Sequence, residues 1–100
     1  MNSQIASIGF SAMGAEARPH VLQALVKAGD QGLLVGEIQQ RLDIPPSTLA
    51  HHLKHLTMAN LIIQERRGRA IISRANFEHL NALAAYILDE CCIDEEQQND

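Results

Sequence analysis

The sequence predicts a mainly α-helical domain with a small β-hairpin wing, a winged helix-turn-helix that forms a homodimer through its first and last helices. Three observations lead there. Two helical stretches between Val35 and Leu61 are separated by an abrupt proline break. The apolar period then shortens from helical spacing to that of a hairpin around a glycine. The last helix carries more apolar surface than one small protomer can bury.

In chain order, residues 3–13 place Ile5, Ile8 and Met13 on one side of a short first helix, which Gly14-Ala15 interrupts. A second helix, opening near Glu16–Pro19, carries Val21, Leu22, Leu25 and Val26 at helical spacing. Arg18 and Pro19 sit in its first turn, where proline is tolerated. Gly29-Asp30-Gln31-Gly32 ends it.

Val35, Ile38 and Leu42 share one face of the third helix. Asp43-Ile44-Pro45-Pro46 breaks that helix, because the residue before a proline is pushed out of helical geometry and the ring removes a donor. Pro46 suits the first turn of the next helix, with Ser47 and Thr48 as capping side chains. Leu49, Leu53, Leu56 and Leu61 form the buried stripe. Ser47, Thr48, Ala50, His51, Lys54 and His55 face outward, and none of them is a carboxylate. Short helix, tight turn, then a helix with such a face is the pattern that enters a DNA major groove. An ordinary helical hairpin is the plainer alternative.

Ile62-Ile63, then residues 64–69, then Ala70–Ser73 read as strand, turn and strand, with Gly68 supplying the positive φ of a hairpin tip. Arg66, Arg67 and Arg69 surround that tip. They make a basic finger suited to phosphates or to the narrow minor groove, where a solvated edge hairpin is the bland alternative. A last helix from Asn76 to Cys91 shows Phe77, Leu80, Leu83, Ala84, Ile87 and Leu88 on a broad apolar face, read as a dimer helix packing with the first helix of both subunits. Residues 1–92 thus form one domain, and 93–100 an acidic, disordered tail.

One hundred residues allow one domain with a modest core, and 46% hydrophobic against 3% aromatic content makes that core aliphatic. The net charge of −4 argues against nucleic acid until it is placed along the chain. Residues 89–100 hold six acids and no Lys or Arg, which leaves eight basic and six acidic residues in 1–88. Between Arg41 and Arg74 there are six basic residues against two acids. Local field governs phosphate attraction, so the charge is no objection. No stretch is long and apolar enough to span a bilayer, and MNSQIASIGF lacks the features of a secretory signal, so a cytoplasmic protein with no membrane partner is expected.

These motifs resemble the ArsR family of small dimeric winged-helix repressors. GLLVGEIQQRLDIPPSTLAHHLKHLTMANLI is similar to that family's reading head. ERRGRAIISRANFEHLNALAAYILDECC resembles the wing and closing helix of a subgroup that ends in a Cys-Cys pair. The likeness spans nearly residues 10–92. It implies a homodimer on an inverted-repeat operator in double-stranded DNA, overlapping a promoter and released by an inducer. The chain departs from the family in informative places. Leu34-Val35-Gly36 stands where the best-known arsenic sensors carry Cys-Val-Cys. Of the zinc-sensing pairs of the closing helix only His79 and Glu90 have a remote counterpart. The third cysteine that completes a three-sulfur arsenite site in the Cys-Cys subgroup is absent, since the chain has two cysteines in all.

Cys91 and Cys92 are the candidate effector ligands. Adjacent cysteines cannot staple distant elements, and a disulfide between them strains the intervening peptide. A bridging thiophilic atom relaxes that demand, and soft thiolates select it. Two sulfurs suit a monosubstituted trivalent arsenical better than arsenite, and no cofactor is otherwise required. The flanking acids and the negative helix C-terminus should raise the thiol pKa, against the needs of a fast peroxide sensor. Two incidental small residues at a helix end are the plain alternative.

Among the histidines, His51 and His55 face the DNA side, and His52 packs inward or bonds backbone. A His51-His52-His55 metal cluster would obstruct the DNA face, and His20 and His79 carry no message. No nucleophile–base pair, phosphate loop or full metal set appears, so the chain is not expected to be an enzyme. Two rivals share the fold: a repressor switched by thiol redox or sulfur species, and a protein-interaction module that needs neither ligand nor operator.

Overall fold

The computed structural model describes residues 1–15 and 17–98. Helix α1 (Ser3–Ala12) opens on Asn2, whose side chain accepts from the Ile5 amide at 2.9 Å. Helix α2 (Arg18–Ala28) has Pro19 in its first turn, as expected, and runs into a 3-10 turn, Gly29–Gln31. Glu16, the first residue of the range expected to open α2, lies outside the described residues. Strand β1 (Leu33–Leu34) leads into α3 (Val35–Leu42), where Glu37 Oε1 accepts from the Leu34 amide at 2.9 Å and holds the first turn. Asp43, at φ 51°, stops α3, and α4 (Pro46–Met58) follows. Strands β2 (Ile62–Arg67) and β3 (Ala70–Ala75) form the wing, and α5 (Phe77–Ile87) and α6 (Ile93–Gln98) close the chain. No helix among the described residues is long and apolar enough to cross a membrane.

The core lies where α2, α3, α4 and the sheet meet. Val21, Leu25, Ile38, Leu49, Leu56, Leu61 and Ile62 are fully buried there. The expected stripe of α4 is correct: Leu49, Leu53 and Leu56 are inside, with Leu61 just beyond. Val26, expected in the core, is exposed, because Val21, Leu22, Ala24 and Leu25 already fill the inward face of α2.

The sheet is more extensive than the sequence suggests. Both wing strands run to the turn residues Gly68 and Arg69, and Arg67 pairs with Ala70. Gly68 has φ +62°, as its place in a two-residue hairpin requires. Strand β1 pairs with β3 through Leu33↔Ser73 and Leu34↔Ile72, giving the order β1-β3-β2. Two residues carry too little periodicity to announce a strand, so the sequence does not predict this one.

Two further differences concern the C-terminal end. Helix α5 stops at Ile87, short of the expected Cys91. Asp89 and Glu90 would add carboxylates to the negative end of the helix, which opposes its extension. Residues 93–98, expected to be disordered, form α6, with Asp94 and Glu95 favourably placed in its first turn. Asn99 and Asp100 lie outside the described residues.

Candidate functional site

Helix α4 presents the outward face that the heptad-like burial of its leucines leaves free. Ser47, Thr48, Ala50, His51 and Lys54 are all exposed. Ser47 and Thr48 do not cap the helix: Pro45 is the N-cap residue and no side chain bonds there, so both hydroxyls are free for other partners. His55 departs from the expected face. It is half-buried and lines a groove of about 640 Å³ between α1 and α4, with Ser11 and Arg18 nearby, its ring edge-on to His51 at 4.4 Å. Burial and the Arg18 charge push its pKa below the ordinary imidazole value.

A second groove, about 350 Å³, runs between α4 and β2 with Val35, Ala50, Lys54, Met58 and Gln64 on its walls. Strand alternation puts Arg66 on the same sheet face as Gln64, toward α4. Arg67 points to the other face with Glu65, whose Oε2 lies 3.5 Å from Arg67 and 3.4 Å from Arg74. The three wing arginines are therefore not equivalent. Arg66 and Arg69 make no ion pair among the described residues, whereas the Arg67 charge is partly neutralised.

Arg18 was not singled out from the sequence. Its Nε donates to His52 Nδ1 at 3.1 Å, and its Nη1 reaches the Ala12 carbonyl at 3.4 Å, so one guanidinium ties the end of α1 to α4. A cation in the first turn of a helix opposes the dipole, and that anomaly was the available signal. His52 is inward, 8% exposed, as expected. Burial and the adjacent Arg18 lower its pKa from 6.5, so the fold favours the neutral ring. A folded-state pKa below the unfolded one stabilises the protein above pH 6.5, and that contribution is lost as the pH falls through the lowered value. The melting temperature is expected to drop between pH 7.5 and 5.5, and to drop less in His52→Gln; equal slopes would remove His52 from the account.

Cys91 and Cys92 are exposed free thiols with Sγ atoms 3.1 Å apart. They stand not on α5, the expected place, but in a tight turn after it, where Glu90 and Cys92 have φ of 57° and 66°. The Cys92 pKa is raised, as expected. The leading cause is its hydrogen bond with Cys91, followed by slight desolvation and the bond with Glu95. Among the described residues no group of three His, Cys, Asp or Glu side chains is arranged to hold a metal ion.

A helix-turn-helix domain family matches residues 14–65, which spans α2, α3, α4 and the start of the wing. No curated protein matches the chain. Among solved structures, an ArsR-like transcriptional regulator from Rhodococcus sp. RHA1 superposes with a TM-score of 0.77 at 24% identity, over 95% of this chain and 86% of that one. HlyU from Vibrio cholerae N16961 gives 0.71 at 26% identity, over 91% and 96%. A homodimeric winged helix-turn-helix DNA-binding domain from Mycobacterium bovis gives 0.68 at 21%, over 87% and 81%. The shared fold is the winged helix-turn-helix expected from the sequence.

Proposed function

The chain belongs to the helix-turn-helix domain family and has the fold of the ArsR-type regulators, and from that premise we propose that it is a dimeric repressor of transcription. In this reading α4 enters the major groove of an inverted-repeat operator with Ser47, Thr48, His51 and Lys54. Arg66 and Arg69 hold the flanking backbone or minor groove, and Arg67 adds a weaker contact. The observation that carries it is the α4 face, free of carboxylates and flanked by the arginine-tipped wing on its Arg66 side. Two such heads about 34 Å apart match one turn of duplex.

The exposed apolar face supports the dimer. Ile5 and Ile8 of α1 and Tyr86, Ile87 and Leu88 at the end of α5 are each at least 40% exposed in the protomer. The Mycobacterium bovis domain of the same fold is homodimeric.

The inducer of this reading is a trivalent arsenical bearing one organic group, taken by Cys91 and Cys92. Two thiols 3.1 Å apart can bond one atom. Each S–H proton leaves with an arsenic-bound hydroxyl as water, so two As–S bonds form with no change of oxidation state. Release follows only if the loaded pair favours the dimer geometry that misplaces the heads. A second reading is a switch by thiol oxidation, through disulfides between subunits or with a small thiol, which the exposure of both thiols favours.

Selecting bound duplexes from a random pool, then challenging the complex with methylarsenite or diamide, tests these points. Release by methylarsenite that is lost in Cys91→Ser supports the first reading, and release by diamide alone supports the second. Failure to enrich any sequence would remove the operator. Arg66→Ala is expected to weaken binding about tenfold and to lower the salt slope by about one, while Arg67→Ala does less. Equal effects of the two would contradict the role of Glu65.

A further inference from the structure

We infer that each subunit of the dimer clasps the other through a C-terminal arm, Leu88–Glu95, seated in the partner's groove between α1 and α4; the inference rests on the dimer proposed above. The arm is built like an interface with nothing over it. Leu88 is 62% exposed and Ile93 42%, and Asp89, Glu90, Asp94 and Glu95 are exposed carboxylates around them. It continues directly from the uncovered Tyr86-Ile87 end of α5, the surface already assigned to the dimer.

The groove is its complement. Ile8, Ala12, Met58 and Ala59 supply apolar wall, and Arg18 and His55 supply the polar donors, in a space of about 640 Å³. Met58 is 73% exposed, and its unbranched thioether side chain adapts readily to whatever covers it. Arg18 uses Nε and Nη1 within the protomer and makes no ion pair among the described residues, so further guanidinium donors remain for a carboxylate. Ile8 belongs both to this groove and to the exposed face of α1, so the groove is contiguous with the dimer surface. Within one protomer the acidic arm is exposed and the groove is open, so the two are not joined in cis. Acid and aliphatic side chains on one surface match base and aliphatic side chains on the other.

Docking in trans gives the cysteine pair a route to DNA. Cys91 and Cys92 lie inside the arm, and the groove's back wall is α4 itself, through His55, Met58 and Ala59. A group loaded on the thiols would then press on the reading helix of the other subunit.

The test uses the full chain with Cys91→Ser, leaving Cys92, combined with Ser11→Cys on the groove wall, and a short bis-maleimide. The expected product is a covalent dimer at twice the 11.0 kDa chain mass. Cys92 alone, Ser11→Cys without Cys92, and Cys92 with Gln23→Cys on the exposed side of α2 should give little of it. Thiols consumed within a single chain overturn the inference in favour of docking in cis. A dimer by sedimentation that fails to cross-link overturns the arm and leaves the dimer standing. A sedimenting monomer overturns both.

Discussion

Replacing Ile87 by Glu is expected to split the dimer and cut affinity for a duplex with two half-sites by roughly a hundred- to ten-thousand-fold, the gain that linking two binding events supplies. Each chain should stay folded, because Ile87 is 63% exposed and contributes little to its own protomer's core. In the proposed dimer the same side chain would be buried twice, once per subunit. Burial of one isoleucine is worth about 1.5–3 kcal/mol, and a carboxylate in its place adds a desolvation cost without a partner. Sedimentation, circular dichroism and binding to whole and half operators separate the possibilities. Unchanged helicity with a monomeric mass and equal affinity for both duplexes is the expected set. A variant that remains dimeric would show that α5 does not carry the interface, and the exposed isoleucines of α1 would have to do so alone.

Gly32→Ala is expected to produce the largest loss of stability of any exchange this small. Gly32 has φ +66°, and a Cβ there would run into the carbonyl oxygen of Ser73 and come within 2.8 Å of Ile72 Cγ2. Those atoms belong to β3, the central strand, and cannot yield without loosening the β1 pairing. Backbone strain and forced contact together amount to roughly 3 kcal/mol. That is a large share of the 5–15 kcal/mol typical of a domain, and lowers the melting temperature by about 12 °C or more. Gly68→Ala is the control. Its φ is similar, +62°, but nothing lies within 4 Å, so only the backbone term applies and the loss should be about a third as large. Equal losses would mean that the approach to β3 is not tight.

The reading head was legible because its signals are local. Pro45-Pro46 must end one helix and can begin another whatever surrounds them, and Leu49, Leu53 and Leu56 at helical spacing need some core. The hairpin tip at Gly68 is local in the same sense. Charge, too, could be placed by inspection, once the acids of residues 89–100 were counted apart from the arginines of the wing.

What needed the folded chain were the features that depend on which surfaces meet. Strand β1 exists only because β3, some forty residues later, offers its free edge. His55, expected on the outward face of α4, lies instead in a groove by α1, while Arg18 becomes a tie because α2 brings it to His52. Arg66 and Arg67, adjacent and identical in type, separate once strand alternation sends one toward α4 and the other to Glu65. The local pattern of the chain thus determined its helices, its turns and the outward face of α4, since backbone sterics and solvent act on neighbours in sequence. Tertiary packing alone decided which charges stay free and where the cysteine pair stands, since pairing and desolvation act between groups that only the fold brings together.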